Sequence, residues 1–345
     1  MRVASLTLRA ASLQPLGRAQ AQLAAAQAEM ATGRLADPGR TLGARSTARA
    51  ALEGALADTR ATREALGVER ARLQAAGEAL TGMAGVADAL VAGLVTAISA
   101  PTDTVLRLTA DDAAGLRSSA VAHANVRLGS THLFGGTRTD APPLADPRTN
   151  AAARDWVREA FVGRFGHPPE DAATRLVDAA SLRAFVGEAE ADFAATGFSA
   201  AWAGDPPGTR SVRLGPDEAM DVPVTHHDPA LRDLVLASSL AAELGAAPLA
   251  GEARDALLEG ALGIAGRAQS GLAEAAGRVG LAQERAARAG GTLSTRLLVT
   301  EAALGDLIGV EGIDAAARVS ALVTSIETSL AVTARIERLS LVNHL

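Results

Sequence analysis

A chain of 345 residues is long enough for two or three domains, and its 48% hydrophobic content can supply their cores. Aromatic residues make up only 2%, so the apolar fraction rests largely on small aliphatic side chains, which suit long thin helical cores better than a deep enzymatic pocket. The net charge is −6, all 33 basic residues are arginine without a basic cluster, and there is no cysteine; this disfavours nucleic-acid binding and excludes disulfides and thiolate metal sites.

Residues 5–32 form a first amphipathic segment. Leu16, Leu23 and Met30 recur every seven residues, and Leu6, Leu13, Gln20 and Gln27 stand at the companion positions. Arg2, Arg9 and Arg18 interrupt this segment, so no apolar stretch of signal-peptide length forms and no cleaved signal peptide is expected. Gly33 through Gly43 break the helix, with Asp37-Pro38-Gly39 as the turn.

A long ladder follows. Leu52, Leu66, Leu73, Leu80 and Leu94 share one seven-residue register, with Thr59 and Ala87 in its gaps. A second register four residues on carries Leu56, Ala84, Val91 and Ile98 and accepts Arg63, Arg70 and Gly77. Alternating four-three spacing of apolar positions is the coiled-coil pattern, and a straight globular helix drifts out of it. Glu69 falls outside this seam, as Glu274 does in the ladder described below, and both are expected to tolerate substitution. The stretch Met83 to Ala100 has Asp88 as its only charge, yet it continues the ladder in register and Pro101 closes it. It reads as a buried helix rather than a membrane span.

The spacing then predicts a helix over about 103–130, a short apolar element Leu133-Phe134-Gly135-Gly136-Thr137, and Pro142-Pro143. Residues 141–200 hold most of the aromatics (Trp156, Phe161, Phe165, Phe185, Phe193 and Phe198) in two helices near 150–164 and 172–195. They read as a compact insertion with its own core. Alternation over 211–214 and 220–225 around Gly215-Pro216 predicts a β-hairpin. A helix over 229–244 follows, with Asp228 as its N-cap.

The return ladder begins after Pro248. Leu258, Leu262, Ala265, Leu272, Ala276, Val279, Ala286, Leu293, Leu297, Leu304 and Leu307 keep the same alternation, with Gln269, Gln283, Gly290 and Thr300 in the remaining slots. Gly309 to Gly312 interrupt it, and a last amphipathic helix runs from Asp314 to about Val342, its stripe formed by Val319, Leu322, Val323, Ile326, Leu330 and Ala334.

The expected fold is therefore mainly α: a long antiparallel coiled-coil rod with paired terminal helices, a small β-hairpin and a compact inserted outer segment. Its expected parts are a discontinuous terminal helical domain (1–43 and 309–345), a rod with hairpin (44–140 and 201–308) and the insertion (141–200). No catalytic, cofactor or metal constellation is present in the pattern. His226-His227-Asp228 reads as a polar turn, Asp111-Asp112 as a helix start, and Gly135-Gly136 lacks the residues of a phosphate loop. The chain is read as a non-enzyme. Leu6, Leu13, Leu16, Leu23 and Met30, with Val319, Leu322, Val323, Ile326 and Leu330, are the candidate self-assembly residues, since a single helix cannot bury such stripes. Contacts of this kind that do not close a ring generate a helical assembly.

With these elements in order, the sequence resembles bacterial flagellins, and within them the group that joins hook to filament. Met30-Ala31-Thr32-Gly33-Arg34-Leu35 with Asp37-Pro38 is similar to the segment after the family's first helix, and Leu133 to Thr137 with the following prolines is similar to its glycine-turn element. Phe198 to Trp202 resembles its aromatic segment before the hairpin, and Arg338-Leu339-Ser340-Leu341-Val342-Asn343 resembles its terminus. The resemblance implies paired terminal helices as an inner layer, ladders and hairpin outside them, and residues 141–200 outermost. It also implies export unfolded through the flagellar type III apparatus without a cleaved signal, an extracellular place in the flagellum, and no cofactor. The partners it implies are further copies of the chain, an adjacent hook-associated protein and flagellin, and an export chaperone. Two other readings stay open, a filament flagellin and an amphipathic protein coating membranes or granules.

Overall fold

The structure is a computed structural model that describes the backbone of residues 2–342 except 205, 207 and 217, and within it the side chains of residues 14–335. The chain is mainly α. In order it forms α1 (Arg2–Thr32), α2 (Pro38–Leu42), a 3-10 turn (Gly43–Arg45), α3 (Ser46–Ser99) and α4 (Asp103–Ala124). There follow β1 (Arg127–Leu128), β2 (Thr131–His132), α5 (Ala151–Phe165), a second 3-10 turn (Ala172–Leu176), α6 (Ala179–Asp192) and a π-helical segment (Phe193–Ala203). The rest is β3 (Ser211–Arg213), β4 (Ala219–Asp221), α7 (Pro229–Leu244), α8 (Gly251–Ile308) and α9 (Gly312–Val342). Two compact units result, one of Met1–Ala61 with Thr292–Leu345 and one of Thr62–Gly291. Asn343 and the side chains of Arg338 to Val342 in the terminal motif, and those of Leu6 and Leu13, lie outside what is described.

In the unit of residues 62–291, α3 and α8 run antiparallel. Gln269 Nε2 donates to Asp88 Oδ1 at 2.6 Å, and Gln283 Nε2 donates to the Leu73 carbonyl at 3.0 Å. The leucines of both ladders line this contact: Leu66, Leu73, Leu80, Leu94, Leu258, Leu272 and Val279 are buried. The companion positions differ from the four-three reading by one residue. Thr62, Glu69, Met83, Leu90 and Ala97 are buried on α3, and Ala261, Ala268, Ala275 and Ala282 on α8, while Arg63, Arg70 and Gln269 are exposed. The cause is a second pair of helices on that side: α4 packs on α7, α7 reaches α8 through the Arg267–Asp233 and Arg278–Asp228 pairs, and Leu90 and Gly93 of α3 share a cleft with Thr109 and Leu116 of α4. A helix contacted from two directions buries more than a two-stranded seam.

Helix α7 is buried on nearly every face, as expected of a short helix with so little polar surface. Asp228 caps it, accepting from the Ala230 N–H at 3.1 Å. Packed on it are α5 and the π segment, which together with α6 carry the aromatic cluster: Trp156 and Phe193 rings meet edge-on at 4.8 Å and Phe161 and Phe185 at 5.6 Å. The inserted residues 141–200 thus share their packing with α7 and belong to the same compact unit.

Helix α4 ends at Ala124, earlier than its apolar pattern predicts. Asn125 stops it because its side chain pairs with another stretch of backbone, donating to the Leu144 carbonyl at 2.7 Å and accepting from the Leu144 N–H at 2.8 Å. The chain then forms the two-residue hairpin β1–β2, with Arg127 opposite His132. In the next turn, a Cβ on Gly135 would lie 2.0 Å from the Arg138 carbonyl oxygen, so only glycine fits. The β3–β4 hairpin pairs Val212 with Met220, and Leu214 and Met220 point inward.

His226 fastens this turn: its ring Nδ1 and its backbone N–H both reach the Phe134 carbonyl, at 2.8 and 2.9 Å. Burial lowers its pKa, against the opposing effect of the Phe134 carbonyl. The folded state therefore favours neutral imidazole, and the unfolded chain takes up the proton first as pH falls below about 6.5. Stability from this site is intact above that pH and is lost as pH falls toward the lower folded value. A plot of thermal midpoint against pH between about 7.5 and 5 should be steeper for the wild type than for His226→Gln; equal slopes would remove His226 as the source.

Candidate assembly surface

The unit made of the two chain ends is organised by a junction. Helix α1 stops at Gly33, whose N–H returns to the Glu29 carbonyl at 2.8 Å and whose φ of +64° suits glycine. The chain then bridges to the start of the last helix: Leu35 N–H donates to the Ile308 carbonyl and Val310 N–H to the Gly33 carbonyl, both at 2.9 Å. Glu29 is buried beside this bridge, and its carboxylate accepts from the Ala36 N–H at 3.1 Å and from Arg318 Nη1 at 3.0 Å. The Met30 to Leu35 segment with Asp37-Pro38 thus sews the exit of α1 to the entry of α9, and Asp37 caps the short α2 by accepting from the Arg40 N–H at 3.1 Å. Below the junction, Leu42, Leu56, Leu297, Leu304 and Ile308 form a buried leucine cluster with Leu35, Leu52 and Leu307 packed partly against it.

Because α1 ends where α9 begins, the two helices run antiparallel as they pack together. Their shared face is shallow. Leu16, Ala19, Leu23 and Ala26 on α1, and Ala315, Val319, Leu322 and Ile326 on α9, are half-buried or buried; Gln20 and Gln27 are exposed. Here too the companion row lies three residues on and is filled by alanine. Outside this face the pair presents apolar side chains to solvent: Met30 is 48% exposed, Val323 37%, Leu330 49% and Ile313 83%. In the same unit, Leu298 and Val299 of α8 are also exposed.

The candidate residues therefore divide. Leu16, Leu23, Val319, Leu322 and Ile326 sit in the helix pair; Met30, Val323 and Leu330 face outward; Leu6 and Leu13 are outside the described side chains. Of the seam residues, Leu293 is buried like the seven of the other unit, and Leu52 and Leu307 are partly buried. Periodicity did not reveal the polar groups that tie segments together, Glu29 with Arg318, Glu69 with Arg210, and Arg117 with Glu243 at 3.1 Å. Glu69, expected outside the seam and tolerant of substitution, is instead buried on the three-residue row. Among the described residues no group of histidine or acidic side chains is arranged to hold a metal ion.

The paired ends of the chain leave large apolar side chains exposed on both α1 and α9. Residues 262–345 match the family model of the bacterial flagellin C-terminal helical region. The C-terminal part of the chain is thus similar to the helical C-terminal region of bacterial flagellins. A solved structure of a candidate flagellar hook-associated protein from Vibrio parahaemolyticus is similar at 14% identity, with 79% of this chain and 96% of that chain covered and a TM-score of 0.41. No curated protein matches the chain.

Proposed function

We propose that this protein joins hook to filament in the bacterial flagellum, self-associating through the outer stripe of its paired terminal helices. The observation that carries this reading is the exposure of Met30, Val323 and Leu330 on a helix pair whose second helix lies within the region matched to the flagellin C-terminus. Burying one large apolar side chain contributes roughly 1.5–3 kcal/mol, so a row of them repeated in every subunit favours assembly strongly. The sequence start Met1-Arg2-Val3 and the Asp37-Pro38 turn favour the junction over the filament, where the resemblance expects an Asp-Asp-Ala-Ala-Gly element after the first helix. In this reading residues 1–43 and 309–345 form the assembly layer, 44–140 with 201–308 the layer outside it, and 141–200 the exposed part. Its partners are a hook-associated protein and flagellin, and it reaches them through type III export with a chaperone.

Electron microscopy of a strain lacking the gene tests this directly. Hooks without filaments, with flagellin released to the medium, are expected. Normal filaments would exclude an essential junction role, and loss of filament with no flagellin subunit left in the medium would make the chain the filament flagellin. The segment Gly312–Arg335 is apolar enough in length and composition to enter a lipid bilayer. Binding of purified protein to anionic vesicles, with no polymerisation in their absence, would favour the coating reading instead.

A further inference from the structure

Glu69 occupies a place on α3 where a helix contact ordinarily holds an apolar residue, three after Leu66 and four before Leu73, both buried. Its side chain is 4% exposed. Both carboxylate oxygens accept from Arg210 Nη2, at 2.8 and 2.9 Å. Arg210 belongs to neither long helix; it stands at the entrance of the β3–β4 hairpin, next to Ser211. Phe134, Val222, Pro223, Val224 and Val279 help wall the pair around a cavity of about 10 Å³, room for about one water. Arg72, on the same wall, donates from Nη2 to the His132 carbonyl at 3.4 Å, and its Nε is buried without a partner. A further ionic tie of the hairpin, Glu218 to Arg285 of α8 at 3.5 Å, is half exposed and contributes little.

A carboxylate cannot be buried alone, because the loss of hydration exceeds what helix packing returns. The closed α3–α8 contact around Leu66 and Val279 therefore requires a cation; Arg72 of α3 lies within electrostatic reach, but the cation that hydrogen-bonds the carboxylate is Arg210, from a segment that must dock from outside. We propose that the Glu69–Arg210 pair is a latch that makes closure of α3 on α8 conditional on docking of the hairpin arm between Arg210 and Val224. The pair also fixes the register of the arm, since a shift of one residue along β3 removes the arginine from the carboxylate. An apolar side chain at position 69 would pack the two helices equally well and free them from the arm.

Hydrogen exchange on the full-length protein reads this coupling. In the wild type, amides of residues 62–80 in α3 and of β3–β4 are expected to open together. In Arg210→Gln the α3 amides should exchange about thirtyfold faster, while those of α4 and α7 hold. In Glu69→Met the α3 amides should keep their protection while the hairpin amides exchange about tenfold faster than they do in the wild type. Should Arg210→Gln fail to fold, the methionine variant decides alone. An α3 unaffected by Arg210→Gln, or a hairpin still opening together with α3 in Glu69→Met, would overturn the latch.

Discussion

The double variant Val323→Asp, Leu330→Asp is expected to keep the helical circular dichroism and thermal midpoint of the monomer and to fail to cap hooks. Both side chains are substantially exposed on α9, at 37% and 49%, while Val319, Leu322 and Ile326 supply the face that meets α1. Surface substitutions of this kind change folding stability by about 0.5 kcal/mol or less, apart from the modest helix preference lost with aspartate. In an assembled interface the same positions would bury two unpaired carboxylates, each penalised by several times that amount. Ile326→Asp is the contrast: it strikes the helix pair itself and should lower the thermal midpoint as well. Poor export could imitate poor assembly in cells. Purified variant is therefore added to hooks isolated from the deletion strain, and normal capping by the double mutant would show that this stripe does not drive assembly.

The long helices were legible because a seven-residue leucine row is a strong regularity, and its breaks coincide with strong breakers: Gly33, Pro101, Pro248 and Gly309. Which side of the leucines faces a partner was not legible. Alanine occupies both the three-residue and the four-residue companion rows, and in so alanine-rich a chain it does not mark either one. The four-residue row carries Leu56, Val91 and Ile98, yet it also holds Arg63 and Arg70, which are exposed. The three-residue row holds Glu69, and a buried glutamate is readable only once Arg210 is seen beside it. Such long-range pairs leave no periodic trace. The same holds for Asn125, which ends α4 by pairing with Leu144, nineteen residues away. The division of the terminal stripe into an inner and an outer face was likewise invisible, because it depends on the depth at which α1 and α9 meet.

Leu272→Ala is expected to lower the unfolding free energy by about 3 kcal/mol, within the range of roughly 2–5 kcal/mol for emptying a fully buried leucine site. Leu272 is 0% exposed, as are Leu80 on α3 and Ala275 one turn further along α8. Small neighbours leave few long side chains to swing into the gap, but they allow the helices to draw together, and these opposing effects keep the loss in the middle of the range. The companion row is tested at the same turn. Ala275→Glu places a charge on the buried three-residue row and should be at least as damaging as the leucine deletion, since Arg278, one turn on along α8, is already paired with Asp228. Glu274→Ala, on the exposed side of the same helix, should change stability by no more than about 0.5 kcal/mol. Urea unfolding of the three variants ranks them. If Ala275→Glu proved as mild as Glu274→Ala, the three-residue row would not be an interior face, and the packing of α7 against α8 would have to be abandoned along with it.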